Sequence, residues 1–317
     1  MSQILITQPF NALPLKSLQN ALGANVSVGM VPSLDLADFE RHAQDAEVLI
    51  NLFRPLNEER LRLAPRVRFV QQMSAGYDLL DLEALKQRKI LAANVPGANA
   101  NAVAEQTLLL MLSLLKRYNQ AEQSARANKW ESMSLLQAGI GDLGVATVGL
   151  IGLGAIGRAV AQRLRGFGTN ILYTAPHRLA IAEEQQLGVH YASRPDLLAA
   201  SNIVSLHLPL NKQTYHLLGA DHLAQMRPDA LLINTSRGEL IDEQALRQAL
   251  LDHKLAGAGL DVLEHEKPGG NIFADLPQVI VTPHIGGASQ DALTRLVQMG
   301  TENVIRFING QKPHYLL

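Results

Sequence analysis

The stretch Val148-Gly149-Leu150-Ile151-Gly152-Leu153-Gly154-Ala155-Ile156-Gly157 constrains this chain more than any other part of it. A G-x-G-x-x-G stands at the end of an apolar run and directly before a helical pattern, Arg158–Phe167. In that context Gly152 permits a tight turn, Gly154 lets backbone approach a pyrophosphate, and Gly157 lets helix and strand pack closely. Ala155 and Ile156 open the helix, whose unpaired amides and dipole favour an anion. The junction implies a dinucleotide-binding strand–turn–helix unit, and with it a doubly wound parallel sheet.

The following strand is expected to end in Asp or Glu where the dinucleotide is NAD, because a carboxylate there holds the ribose 2′-hydroxyl. This chain reads Leu172-Tyr173-Thr174-Ala175-Pro176-His177-Arg178, with no acid between Arg158 and Ala182. A carboxylate about 4 Å from a 2′-phosphate charge would cost about 4 kcal/mol at an effective dielectric near 20. Its absence, with Arg178 and His177 available to a phosphate, points to NADP, with NAD as the alternative.

The same alternation runs along the whole chain. Strand-like runs are Ile4–Thr7, Ala46–Ile50, Val67–Gln71, Ile90–Ala93, Ala146–Ile151, Asn170–Tyr173, Ile203–Leu206, Ala230–Ile233, Ala256–Leu260 and Val279–Val281. Helical patterns lie between them. Pro14 and Pro55 each suit a first helical turn, and Asp242 suits the N-cap of a helix over Glu243–Asp252. Near-continuous apolar strands indicate sheets buried on both faces. Two long helices, about Asn99–Ala127 and Ser289–Gly310, read as connectors. The chain is therefore expected to be α/β, with two doubly wound, Rossmann-like domains. Residues 99–287 would form the dinucleotide domain, and residues 1–98 plus 288–317 a substrate domain.

Composition narrows the function. The chain has 317 residues, 47 % hydrophobic and 18 % charged, with a net charge of −1, which disfavours nucleic acid as a partner. It has no cysteine, so disulfides, thiolate zinc sites and cysteine nucleophiles are excluded, and no metal set is assigned. The N-terminus reads as a strand, and the most apolar stretches fall short of the roughly 18 residues of a membrane span. The expectation is a cytoplasmic protein with no membrane partner.

Three segments each follow a strand-like run: Ile233-Asn234-Thr235-Ser236-Arg237-Gly238-Glu239, Gly259-Leu260-Asp261-Val262-Leu263-Glu264-His265-Glu266, and Val281-Thr282-Pro283-His284-Ile285-Gly286-Gly287. Strand ends of a doubly wound sheet converge on one crevice, so Arg, Glu and His there form a set for acid–base chemistry beside a nicotinamide. Glu264 and Glu266 both stand as candidates for the acidic member. Phe53, Arg54, Met73, Leu135 and Leu136 are candidate pocket residues, and Trp130 is as compatible with packing as with substrate contact.

These segments, with Ser74-Ala75-Gly76-Tyr77-Asp78, Asn94-Val95-Pro96-Gly97, Val103-Ala104-Glu105 and Leu208-Pro209-Leu210, resemble the D-isomer-specific 2-hydroxyacid dehydrogenase family over almost the whole chain. The resemblance implies a two-domain homodimer with its active site in a cleft, transferring hydride between NAD(P)H and a small 2-oxo or D-2-hydroxy acid. It selects Glu266, five residues after Asp261, as the partner of His284. It makes His284 the acid–base, Arg237 the carboxylate binder, and the Ala75 and Gly76 amides further substrate contacts. Cofactor contacts would come from Gly152, Gly154, Ala155, Ile156, Gly157, Thr174, Ala175, His177, Arg178, His207, Pro209, Thr214, Thr235, Ser236, Asp261 and Gly286. Formate dehydrogenases carry Gln where Glu266 stands, and phosphite dehydrogenases carry Lys where Ala75 stands. What remains is a reductase of the glyoxylate/hydroxypyruvate type, for glyoxylate, hydroxypyruvate or a larger 2-oxo acid. The alternatives are a phosphite dehydrogenase-like enzyme and a dinucleotide-sensing corepressor.

Overall fold

The computed structural model describes residues 2–10, 19–20, 22–23 and 26–317. Pro14 lies outside them. The chain forms two compact units, Met1–Asn99 with Ser289–Leu317, and Ala100–Ala288.

The first unit is built on strands β1 (Ser2–Ile6), β2 (Val26–Met30), β3 (Val48–Asn51), β4 (Phe69–Gln72) and β5 (Leu91–Ala93). They pair in the order β2-β1-β3-β4-β5, all parallel. Alternate residues of one strand enter opposite cores. Leu5, Leu49 and Val70 face one cluster, while Ile4, Val48 and Phe69 face the other. Both faces are thus covered, which is why the strands read as unbroken apolar runs. The Gln290–Ile308 helix, N-capped by Ser289, covers the second face, and Phe307 stacks on Phe69 with ring centroids 4.9 Å apart.

The second unit contains β6 (Thr147–Ile151), β7 (Asn170–Thr174), β8 (His190–Tyr191), β9 (Ile203–Leu206), β10 (Leu231–Asn234), β11 (Gly257–Leu260) and β12 (Val279–Val281). Their order is β12-β11-β10-β9-β6-β7-β8, again all parallel. The chain moves outward from β6 to β7 and β8 and then crosses back to β9, so the order of winding reverses between β6 and β9. Thr174, Ile151, Leu206, Asn234, Leu260 and Val281 lie in one register row across the sheet. Each loop that follows therefore leaves from the same carboxyl edge, where doubly wound sheets bind ligands.

Local differences from the sequence reading have physical causes. The β2 and β8 strands went unread; β8 is only two residues long, and its His190 and Tyr191 are exposed. The expected Asn99–Ala127 helix is two helices, Ala100–Leu115 and Tyr118–Arg126. Arg117 breaks it with a φ of +49°, and its guanidinium bonds the carbonyls of Gly139 (3.1 Å) and Ala138. Pro55 is not in a first helical turn. It precedes Leu56, which bridges to Leu80, and Asn57 caps the Glu58–Arg62 helix instead. Asp242 caps Glu243–Leu251 by accepting from the Ala245 amide at 3.0 Å.

Candidate active site

The β6 loop has the shape that a bound pyrophosphate needs. Gly152 has a φ of +98°, and a Cβ there would lie 2.3 Å from the His207 carbonyl oxygen. A Cβ on Gly157 would lie 2.4 Å from the Gly152 oxygen. Both glycines are thus required by close backbone approach. Gly154, in contrast, caps the Ala155–Arg165 helix with nothing within 4 Å of where its Cβ would be. Ala155 is exposed and Ile156 half-buried at the helix start. The open side of the loop is therefore over Gly154, at the positive end of the helix.

His207 lies directly beneath this loop. Its amide donates to Ile151 at 2.8 Å and its Nε2 lies 3.0 Å from Ser205 Oγ. Burial pushes its pKa down to about 3, so the imidazole is neutral. Its Nδ1 is buried with no partner among the described residues. The open cradle and this orphaned nitrogen fit a polar group bound at the carboxyl edge of β6 and β9, and so fit a dinucleotide.

The remaining cofactor candidates line the same edge. Thr174, whose carbonyl accepts from Gly152 at 2.9 Å, ends β7, and Ala175 follows it, with no carboxylate at either position. His177 is exposed. Arg178 is held by Glu184 through two bonds of 2.9 and 3.0 Å, and Glu184 also accepts from Tyr173. That pairing escapes a sequence reading limited to the segment before Ala182. After β9, Thr214 Oγ1 donates to the Pro209 carbonyl at 2.8 Å and closes an exposed turn. After β10, Thr235 meets Thr107 at 2.9 Å, and Ser236 donates to Leu206 at 2.8 Å.

His284 and Glu266 meet. The two carboxylate oxygens lie 3.0 and 2.8 Å from His284 Nδ1, which leaves Nε2 of this half-exposed side chain, 46 %, outside the pairing. The His284 pKa is raised, chiefly by the hydrogen bond that Nδ1 donates to Glu266. Burial opposes the rise, the Glu266 charge adds to it, and the charges of Arg237 and Asp261 pull in opposite directions. Burial pushes Glu266 upward, but its hydrogen bond with His284 and the charges of His284 and Arg237 outweigh this, and its pKa is lowered. Glu264 does not compete for His284, because it pairs with His216.

Two backbone devices hold this pair and Arg237. Asn234 donates to the Arg237 carbonyl at 2.7 Å and accepts from the Ser236 amide at 3.0 Å, an Asx turn at the end of β10. The Arg237 guanidinium donates to the Ser236 carbonyl at 2.7 Å. Asp261, 1 % exposed, organises the His284 loop: its carboxylate accepts from Thr282 Oγ1 (2.5 Å), the Ile285 amide (3.0 Å) and the Gly286 amide (2.7 Å). His284 itself has a φ of +52°, a conformation costing about 1–2 kcal/mol that these bonds offset. The sequence reading did not detect this work of Asp261 and Asn234. An Asn at the last position of a strand was the available signal.

In the first unit, the Ala75 carbonyl accepts from Asn94 at 2.7 Å and the Gly76 carbonyl from Ser74 at 2.6 Å. Arg54 is held by backbone. It is 3 % exposed and donates to the carbonyls of Ser33 (2.9 Å) and Leu34 (3.2 Å). Met73 is a core residue packed against Gly300. Phe53 is 67 % exposed, and Trp130 78 %. Among the described residues no group of three or more His, Asp or Glu could hold a metal, and no helix is long and apolar enough to cross a membrane.

Comparison with known proteins agrees with this geometry. Residues 108–286 match the family model of the D-isomer-specific 2-hydroxyacid dehydrogenase NAD-binding domain. A glyoxylate reductase of Thermococcus litoralis is 36 % identical over 86 % of this chain and 84 % of its own. A glyoxylate/hydroxypyruvate reductase B of Yersinia pestis is 38 % identical over 84 % of this chain and 82 % of its own. The crystal structure of a glyoxylate reductase from Paecilomyes thermophila superposes with a TM-score of 0.91, at 28 % identity, covering 100 % of this chain and 98 % of that one. With a dinucleotide cradle and a His–Glu pair on one sheet edge, the chain belongs to the D-isomer-specific 2-hydroxyacid dehydrogenase family, enzymes that work with a nicotinamide dinucleotide.

Proposed function

We propose that the protein reduces a small 2-oxo acid of the glyoxylate or hydroxypyruvate kind to the 2-hydroxy acid, with NADPH as the preferred cofactor. The observation that carries this reading is His284, with Nδ1 engaged by Glu266, in the loop after β12 on the edge that also bears the phosphate loop. The cofactor would be held by the Gly152–Gly157 loop, by His207, Thr235 and Ser236, and by Thr174 to Arg178, and it supplies the hydride. As the carbonyl carbon gains that hydride, its π pair moves onto oxygen and His284 Nε2 delivers the proton. Glu266 fixes the tautomer and favours the imidazolium that donates. Arg237 offers a planar fork to the carboxylate and steadies the growing negative charge. In the first unit, the amides of Ala75 and Gly76 are proposed as further donors to a carboxylate.

The NADPH preference rests on the missing carboxylate at Thr174–Ala175. In this reading Arg178 exchanges part of its pairing with Glu184 for a 2′-phosphate. A homodimer is also proposed, supported by the Ser132–Gln137 helix, which buries no residue and leaves Met133 and Leu136 exposed beside Trp130.

The test is absorbance at 340 nm with NADPH or NADH and a panel of 2-oxo acids, run on the wild type and on His284→Ala. Turnover is expected with glyoxylate or hydroxypyruvate, and its loss in His284→Ala with NADPH affinity retained. Near-normal turnover in that variant would remove His284 as the proton donor. Light scattering on the purified chain reads the dimer, and a monomeric mass at micromolar concentration would overturn it.

A further inference from the structure

We infer that Glu243 is a positioning residue for the His284–Glu266 pair, acting through the Leu263–Glu264 peptide. The inference rests on the reading of His284 as proton donor. Glu243 opens the Glu243–Leu251 helix, yet the residue is only 6 % exposed, and its Oε1 accepts from the Glu264 amide at 2.8 Å. Its surroundings do not favour an ionised carboxyl. Burial opposes ionisation most, and Glu264 and Glu239 add to this, against the Glu264 amide and His265. An apolar side chain would pack in such a place without that conflict. What Glu243 adds is a fixed acceptor for one peptide.

That peptide lies against the loop that carries Arg237. A Cβ on Gly238, the residue after Arg237, would lie 2.0 Å from the Leu263 carbonyl carbon and 2.2 Å from the Glu264 nitrogen, so the two loops are in direct backbone contact. The Glu264 side chain pairs with His216, whose amide is tied to the Glu239 carbonyl at 2.8 Å. Two residues further on, the Glu266 carboxylate meets His284 Nδ1 with both oxygens. The path from helix to imidazole thus runs through Glu243, the 263–264 peptide and Glu266. Arg237 is carried on the same seam by Gly238. If the acceptor at position 243 is removed, the peptide is free to shift and Glu266 loses its set on His284.

The experiment compares E243A, E243Q and wild type in the reduction direction across pH. E243A is expected to lower kcat about tenfold and to move the alkaline limb of kcat/KM down by about one pH unit, with the NADPH Kd unchanged. E243Q keeps an acceptor oxygen and is expected to restore both. E243D withdraws the acceptor by one methylene while keeping the charge. It is expected to behave as E243A and is read in its place should E243A not fold. A lowered Tm with an unmoved limb would show a merely structural role and overturn the inference, as would an E243Q limb displaced like that of E243A. H284A separates the two readings: if it turns over normally, the assignment of His284 fails. If it is inactive while E243A and E243D leave the limb in place, only the inference about Glu243 fails.

Discussion

At the scale of single residues, the chemistry is decided by which group holds which proton. His284 has its pKa raised above the ordinary imidazole value, mainly by Glu266. Reduction uses the charged ring, so its rate is sustained below that raised pKa and lost as pH rises through it. Replacing Glu266 with Gln keeps a hydrogen-bond partner but removes the charge. The alkaline limb of kcat/KM for reduction is then expected to move toward or below pH 6.5, with kcat at pH 8 falling by about tenfold or more. A limb in the wild-type position would show that Glu266 does not tune the imidazole. Arg237→Lys keeps the charge and loses the planar fork. The KM for the 2-oxo acid is expected to rise about tenfold, the 1.4 kcal/mol of one charge-assisted bond, with a smaller change in kcat. Steady-state kinetics at fixed NADPH read this, and an unchanged KM would count against carboxylate binding at Arg237. The residues with conspicuous chemistry were legible in the sequence. Asp261 was legible only as a name in a motif, because its use depends on amides 24 and 25 residues away.

At the scale of elements, the loops after the strands do the work, and the glycines of one loop separate structural from functional demand. Gly157→Ala places a Cβ against the Gly152 carbonyl, so the helix must move off the strand. A loss of about 2–3 kcal/mol in stability is expected, read by thermal unfolding without ligand. Gly154→Ala meets open space at a φ of −74°, so its cost without ligand stays within about 1 kcal/mol. Its NADPH Kd is nevertheless expected to rise about tenfold or more, because the added methyl stands where a phosphate approaches. An unchanged Kd in Gly154→Ala would mean that the open side of the loop is not the binding side. The strands and this loop were readable because parallel strands buried on both faces are apolar throughout and need a glycine turn to reach the next helix. The break at Arg117 was not readable. Nothing in the local pattern of Leu114-Leu115-Lys116-Arg117-Tyr118 opposes a helix, and the guanidinium bonds that stabilise the kink come from residues 138 and 139. The short edge strand β8 was missed for the same reason, since its pairing with β7 is nonlocal.

At the scale of the whole molecule, the second unit is one uninterrupted stretch, Ala100–Ala288, while the first is made of two pieces. All seven strands of the larger sheet pair among themselves, and the core clusters on its two faces draw their members from residues 100–281. A unit with its own closed core is expected to fold alone. The first unit lacks that autonomy in sequence, because Val304 and Phe307 of the last helix complete a core begun by Ile4, Val48 and Phe69. A fragment of residues 100–288 is therefore expected to unfold cooperatively and to bind NADPH with a Kd within about threefold of the full chain. NADPH at 100 times its Kd should stabilise the fragment by about 2.7 kcal/mol, because only the folded state offers the cradle. A fragment of residues 1–99, deprived of the last helix, is expected to aggregate or remain unfolded. Calorimetry and fluorescence titration on the two fragments measure these outcomes. A folded 100–288 fragment without affinity for NADPH, beside a full chain that binds it, would place an essential part of the dinucleotide site outside the unit that carries the glycine loop.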